Sequence, residues 1–407
     1  MTTGAPPDRI TALDFVRGVA VLGILAINVT GFWGPTLASF SPMIPVPDVG
    51  GTGWFAFSFV VFEGKMRALF TLLFGASMVL FVEAAERRGA NGDWMQVRRL
   101  TWLALFGYAH YLLLWWGDIL FPYALCGLIA LAMRRLSPGA LVLAGLALFL
   151  VSHGMDGIGD LPGIAAEQRV LAGHASAADI AEQADMMDRI AAMNASDIAI
   201  LNAGFLDAIR LRLATDPFLP FQTAMITFTE TLPLMLLGMA MLRTGFFTGG
   251  WSERTLRRIA WGGIGVGGGL TLGMLGWAML HNFPPRAMFA VINDLSALPH
   301  LLMAMGYAAG LVLLWPRIGS SAAGRALAAA GRCAFSNYLG TTVLMTALFS
   351  GWGLGLGPEL PRGWLPAFVL LGWAAMLAWP RWWLARFGMG PLEWAWRRLS
   401  WLGVARH

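Results

Sequence analysis

The chain has little charge. Of its 407 residues, 13% are Asp, Glu, Lys or Arg, about half of the roughly 25% that soluble domains carry. Lysine is almost missing, with Lys65 as the only one. Cysteine is scarce: Cys126 and Cys333 both fall inside apolar runs, which excludes a disulfide framework. No HExxH and no Cys/His ligand spacing occurs, so no metal site is expected. Short alternating segments are absent, which excludes a β-barrel. A cleavable signal peptide is not expected either. The first apolar run carries Arg17 and Asn28 and lacks a small-x-small cleavage site, so it reads as a retained first helix. No internal repeat suggests the inverted halves of many transporters.

What is present is apolar: 57% hydrophobic residues and 50 Gly. The runs reach the length of about 20 residues that crosses a bilayer, and small residues let helices approach closely. The expected fold is all-α, one transmembrane domain over 1–407 with about ten helices. They are placed at roughly 15–33, 54–83, 99–116, 119–133, 139–153, 218–242, 259–280, 298–316, 331–350 and 364–382. The net charge of +5 lies in clusters between these runs, a topology signal rather than a nucleic-acid surface, and no nucleic-acid partner is expected. With both termini cytoplasmic, the inner side holds 20 of the 28 basic residues, Arg9, Arg17 and Arg406 among them. The segment 154–217, between the fifth and sixth helices, is then external. It carries ten acidic residues and four Arg, and its 176–213 stretch suits one or two amphipathic helices bracketed by Pro162 and Pro217. The glycine-rich run 259–280 reads as tight helix packing, with close approach to a ligand as the alternative. The expected location is a bacterial inner membrane, with the bilayer as partner; a homo-oligomer stays open.

An ionisable group inside a membrane costs at least about 2.5 kcal/mol on insertion scales, so each one needs a reason. Asp14 and Arg17, at i and i+3, share a face and can pair. They suit either an interfacial anchor or a cytoplasmic vestibule. Asn28 adds a polar group further along the same helix. Glu63, Lys65 and Arg67 put three charges into five residues. The run 54–83 would span roughly 45 Å as one helix, more than the bilayer needs. It is therefore expected to break near Gly64, with the charges lining a polar cavity or anchoring at the interface. Counting from Arg99, His110 lies roughly 16 Å into the membrane. Asp118 follows at i+8, a spacing that lets the two meet only if the chain breaks at Gly117 or another helix intervenes. His suits acid–base chemistry near neutrality, though a lone His is equally often a satisfied core residue. Glu230 is a cavity candidate, and Arg332, Ser336 and Asn337 form a polar stripe on the entry of the ninth helix. His153, His174, His281 and His300 read as external and solvated, His407 as cytoplasmic.

Five segments carry a resemblance: RITALDFVRGVAVLGILAIN, GKMRALFTLLFG, RRLTWLALFGYAHYLLLWWGDILFPYALCG, LLGMAMLRTGFF and GRCAFSNYLGTT. In this order, from residue 9 to about 345, they resemble the bacterial YeiB-like membrane family. That family is similar to a branch of the transmembrane acyltransferases, which include the heparan-α-glucosaminide N-acetyltransferases. The resemblance implies transfer of an acyl group from cytoplasmic acyl-CoA, as co-substrate, to a small-molecule or glycan acceptor across the membrane. His110 ahead of Asp118-Ile119-Leu120-Phe121-Pro122-Tyr123 looks like a His upstream of an Asp–apolar–apolar–Pro–aromatic stretch in that group, at altered spacing.

Two functions follow. In an acyltransferase, Arg98, Arg99, Arg254, Arg257, Arg258 and Arg332 are candidates to hold CoA phosphates. His110 would be general base or transient acyl carrier, oriented by Asp118 or Glu63, in one cavity with Lys65 and Arg67. In a secondary transporter the same charges would line a solute or proton path.

Overall fold

The computed structural model describes residues 10–45 and 48–402; Arg9, Arg406 and His407, which entered the reading of the termini, lie outside them. The described chain is helical, with no strand among these residues. In order it runs α1 (Thr11–Trp33), α2 (Val49–Val61), α3 (Lys65–Glu86), α4 (Gly92–Leu113), α5 (Leu120–Met133) and α6 (Pro138–Leu171). There follow α7 (Ala177–Asn202), α8 (Phe205–Thr215), α9 (Leu219–Ile226), α10 (Phe228–Arg243), α11 (Glu253–Leu280) and α12 (Pro285–Ala290). A π-helical turn, Val291–Leu295, leads into α13 (Ala297–Ile318), α14 (Ala322–Arg332), α15 (Ala334–Phe349), α16 (Leu365–Phe387) and α17 (Pro391–Ser400).

The protein is a multi-pass membrane helix bundle. Among the described residues, six helical stretches are long and apolar enough to cross a bilayer: Thr11–Trp33, Gly50–Glu86, Pro138–Leu171, Glu253–Leu280, Ala297–Ile318 and Arg362–Phe387. A seventh is the pair α9 and α10, bent by 62°. Each of the ten expected helices has a counterpart. The remaining three differ from simple spans for visible reasons. α5 is only 14 residues long, α4 opens with a polar turn, and the ninth is split at Cys333 into α14 and α15. Lipid is written on the outer faces: Leu143, Val151 and Ile158 on α6 and Val266, Leu272 and Leu280 on α11 are more than half exposed, a surface that water would not tolerate.

Small residues set the crossings. Added Cβ atoms at Gly18 and Gly331 would lie 2.0 Å from Leu327 O and 1.8 Å from Asp14 O, so α1 and α14 touch backbone to backbone. Gly75 and Gly238 do the same for α3 and α10, against Met235 O and Leu72 O. The glycine-rich helix splits by face. Gly263 and Gly267 meet the α13 backbone at Leu302 O and Pro299 O, whereas Gly262, Gly265, Gly269, Gly273 and Gly276 meet nothing within 4 Å. One face of α11 is thus packing in the small-residue sense.

The segment 154–217 is helical, but it is not a separate insert. α6 runs past the expected end at 153 to Leu171, with Pro162 inside it, and stops only where Gly173 takes φ +74°. The end of an apolar run is not a helix stop; a C-terminal glycine is. α7 opens with a reciprocal Ser176–Asp179 capping box. It rests on the turn after α1, where Thr36 N donates to Asp197 at 2.8 Å.

Candidate functional site

The helix expected over 54–83 breaks between α2 and α3. Gly64 holds φ +70°, ψ −39°, which L side chains rarely adopt. A Cβ there would lie 1.9 Å from His300 Nδ1. The break turns three charges inward. Lys65 is fully buried, and its ammonium donates to Phe59 O at 2.6 Å. Arg67 grips Glu230 on α10 through Nε–Oε1 at 3.2 Å and a second contact at 2.9 Å, with Glu63 at 4.0 Å on its other side. Glu230 itself stands just past the 62° bend between α9 and α10. Two discontinuous helices therefore meet through one bidentate ion pair, the strong form of such a contact.

Beside the break lies a narrow pocket of about 20 Å³, room for roughly one water molecule. Glu63, Ser58, Trp54 and Phe59 line it from α2 and the break, Ile27 and Thr30 from α1, and Ser39, Ile292 and Arg362 close it. Asn28 is half-buried on α1 between two lining residues but is not itself in the lining.

His110 and Asp118 do meet. α4 ends at Leu113, the chain turns through Gly117, and α5 starts at Leu120. Gly107 has no side chain to block Asp118; a Cβ there would sit 2.7 Å from its Oδ2. His110 Nδ1 is 2.8 Å from Asp118 Oδ1, and Asp118 Oδ2 accepts Phe121 N–H at 2.8 Å. On the far side, His110 Nε2 is 3.1 Å from the Thr342 hydroxyl, which also lies 3.1 Å from Tyr338 O. The Thr342 hydroxyl has one proton to give: it stays on Tyr338 O when a protonated ring donates to both Asp118 and Thr342, and leaves that carbonyl when a neutral ring accepts from Thr342. A general base alternates between those two states. The His110 side chain is wholly buried, packed against Tyr338 and Trp115, and is absent from the lining of the Glu63 pocket. The single cavity expected for His110 with Glu63, Lys65 and Arg67 is thus two centres: of the four only Glu63 lines the pocket, and Tyr338 and Trp115 stand against the imidazole.

The other expected residues separate by face. Asp14 and Arg17 pair at 3.1 Å, and Arg17 reaches Ser77 at 2.7 Å. Arg99 stacks on Trp396 at 4.0 Å and Phe81 at 4.5 Å, Arg98 donates to Leu402 O, and Arg332 donates to Gly388 O at 2.7 Å. These side chains bind α17 and its approaches to the bundle. Arg254, Arg257 and Arg258 stand apart at the start of α11, lining a surface pocket with Glu253 and Trp261. Asn337 is not at a cavity. Its amide donates to Ala330 O and Met376 O, and its oxygen accepts from Trp379, bonds that tie α15 to α14 and α16. Glu393 on α17 accepts Phe335 N, Ser336 N and the Ser336 hydroxyl, capping α15. Burial pushes its carboxyl above the usual range, against the pull of these hydrogen bonds.

Sequence reasoning missed four side chains. His300 is buried under Gly64, with Nδ1 3.3 Å from Ser296. His153 pairs with Asp294 at 3.0 Å, and Asp294 belongs to the π-helical turn, a form often found at functional sites. These two histidines are not solvated; His174 is exposed. Arg362, one of the eight basic residues that the topology leaves on the outer side, is buried. The one available signal was Gly64 itself, since a glycine among three charges announces a close neighbour.

The family described as "Protein of unknown function (DUF418)" matches residues 241–403. The chain is similar to "Uncharacterized protein YeiB" of Escherichia coli (strain K12), 31% identical over 97% of this chain and 96% of the relative. It is also similar to "Uncharacterized protein YxaH" of Bacillus subtilis (strain 168), 28% identical over 98% and 96%. A shorter likeness, 32% identical over 35% of this chain and 39% of the relative, is to an uncharacterized 39.9 kDa protein of Bacillus acidopullulyticus. No solved structure matches.

Proposed function

Since the chain belongs to the YeiB-like family of bacterial membrane proteins, we propose that it is a membrane-embedded acyltransferase. It takes an acyl group from cytoplasmic acyl-CoA and gives it to an acceptor on the periplasmic side of the inner membrane. The observation that carries the reading is the Asp118–His110–Thr342 chain, at 2.8 and 3.1 Å. A base held by a carboxylate on one ring nitrogen, with a hydroxyl at the other, is the layout of acyl transfer. His110 takes the proton of the acceptor's hydroxyl or amine; that oxygen or nitrogen bonds to the thioester carbonyl carbon, and the CoA thiolate leaves with the proton. Thr342 yields Nε2 when the acceptor enters. Arg254, Arg257 and Arg258, which line a surface pocket at the start of α11, hold the CoA phosphates, since Arg17, Arg98, Arg99 and Arg332 are engaged within the bundle. The arrangement of Lys and Arg along the sequence supports this sidedness.

Secondary transport of a small solute is the second reading. It is favoured by the two broken helices joined through Arg67 and Glu230, since discontinuous helices build many transporter sites. Purified protein in nanodiscs decides between them. The acyltransferase hydrolyses or transfers acyl-CoA, and His110→Ala loses turnover by about 10²-fold or more with acyl-CoA affinity nearly unchanged. Solute flux in proteoliposomes without acyl-CoA consumption, unaffected by His110→Ala, replaces acyl transfer with transport.

A further inference from the structure

Two buried donors of the pocket beside Gly64 have no hydrogen-bond partner: Trp54 Nε1 and Arg362 Nε. Both residues line the same narrow space. Gly51, one helical turn before Trp54 on the same face of α2, brings the Arg362 side chain against that helix; a Cβ at 51 would lie 2.4 Å from Arg362 Cδ. Arg362 is 1% exposed. Its terminal nitrogens donate to Ser41 O and Ile44 O, and its plane sits 4.9 Å from the Trp33 ring. No carboxylate forms an ion pair with it among the described residues. Asp48, whose charge acts on it, gives its two oxygens to the backbone N–H groups of Gly51 and Arg362.

A buried guanidinium with two bonds, both to carbonyls, and with its Nε–H and one hydrogen on each terminal nitrogen left over, is an expensive arrangement unless an anion completes it. A second orphan N–H, on another residue of the same lining, fits the second lone pair or the second oxygen of that anion. Glu63 lines the pocket as well, with Arg67 at 4.0 Å. It is an acceptor for any donor the ligand carries. The hydroxyls of Ser58, Thr30 and Ser39 complete a polar lining. We infer that this pocket binds the carboxylate end of a small solute that also carries a hydroxyl or ammonium group. Arg362 and Trp54 hold the carboxylate, and Glu63 accepts from the second group. The volume of about 20 Å³ is room for one water-sized group, so one carboxylate oxygen fits as the pocket stands, and the pocket must widen to take the rest of the carboxylate and the second group. The inference holds whether the solute is acylated or carried, because it concerns binding alone.

The test is isothermal titration of the full chain in nanodiscs with acetate, glycolate, glycine and neutral acetamide. The three carboxylates should bind and acetamide should not. Trp54→Phe, which deletes the N–H and keeps an aromatic ring, should weaken all three by about tenfold, the usual worth of a hydrogen bond to a charged group. Arg362→Lys, which keeps the charge and loses the Nε–H, should weaken them further. Glu63→Gln should leave acetate binding unchanged or tighter, while cancelling the advantage of glycolate or glycine over it; which of those two loses more identifies the hydroxyl or the ammonium. Carboxylate binding that is absent, matched by acetamide, or indifferent to Trp54→Phe and Arg362→Lys overturns the inference. So does an experimental structure with acetate present that shows only water in the pocket.

Discussion

Replacing Gly64 by Ala tests the helix break and its neighbour together. The native backbone at φ +70°, ψ −39° lies where an L residue costs about 1–3 kcal/mol. The new methyl would also sit 1.9 Å from His300 Nδ1, and displacing a packed ring costs about 1–3 kcal/mol more. The sum, roughly 2–6 kcal/mol, is a large part of a typical folding stability of about 5–15 kcal/mol. Thermal unfolding in detergent should show a strongly lowered midpoint. The two contributions separate in a double-mutant cycle. Gly64→Ala with His300→Ala should recover the steric part and keep the backbone part, a positive coupling of at least about 1 kcal/mol. Additive single effects would mean that His300 is not what Gly64 makes room for. An unchanged midpoint for Gly64→Ala alone would refute the broken helix altogether.

Glu230→Ala should leave Arg67 with only Glu63 at 4.0 Å and cost about 3 kcal/mol, the low end for a broken buried pair because a third of the Arg67 side chain is exposed; Arg67→Met with Glu230→Met should regain most of it, measured by the same melts. Because burial raises the Glu393 carboxyl, the folded state prefers its protonated form. The resulting stabilisation of α17 is complete below the unfolded value near about 4.3 and is lost as pH rises through the folded value; hydrogen exchange of α17 should quicken over that rise, and Glu393→Gln should flatten the profile. For orientation, thiol-labelling sites introduced at Ala90 and Ala177 should report cytoplasm and periplasm respectively, against a quiet background because Cys126 and Cys333 are both buried; labelling of both from one side would overturn the number of crossings between them.

Local chemistry was legible in the sequence, and contacts between distant helices were not. The break at Gly64 was legible because three charges within five residues cannot all face lipid in one straight helix. The His110–Asp118 contact was legible as a condition, a chain break at Gly117, and the structure supplies that break. By contrast, α6 ends at 171 and not at 153, because an apolar run marks where a helix meets lipid and not where it stops. His300, His153, Asp294 and Arg362 carry no local pattern: each gains its role from a partner more than a hundred residues away or from a turn with no sequence signature. The cavity itself was the hardest expectation to draw from sequence. Residue types announce that a polar space exists, but Trp115 and Tyr338, which pack against His110 on two sides, are indistinguishable in sequence from any other core aromatic.

The two centres are separate spaces but not separate structures. Tyr123 on α5 meets the Thr71 hydroxyl on α3 at 2.5 Å, with Phe70 and Phe74 packed on its ring. Thr71 stands one turn beyond Arg67 and donates to its carbonyl at 2.8 Å. The first turn of the same α5 supplies the Phe121 N–H that fixes Asp118. A shift of α3 at its break therefore reaches the carboxylate that orients His110 through one short helix. Packed helices are bistable rather than continuously deformable, so such a shift has few ways to be absorbed on the way. The Arg67–Glu230 pair ties α10 to the same stretch of α3, one turn before Thr71, so the second broken helix is coupled to that path as well.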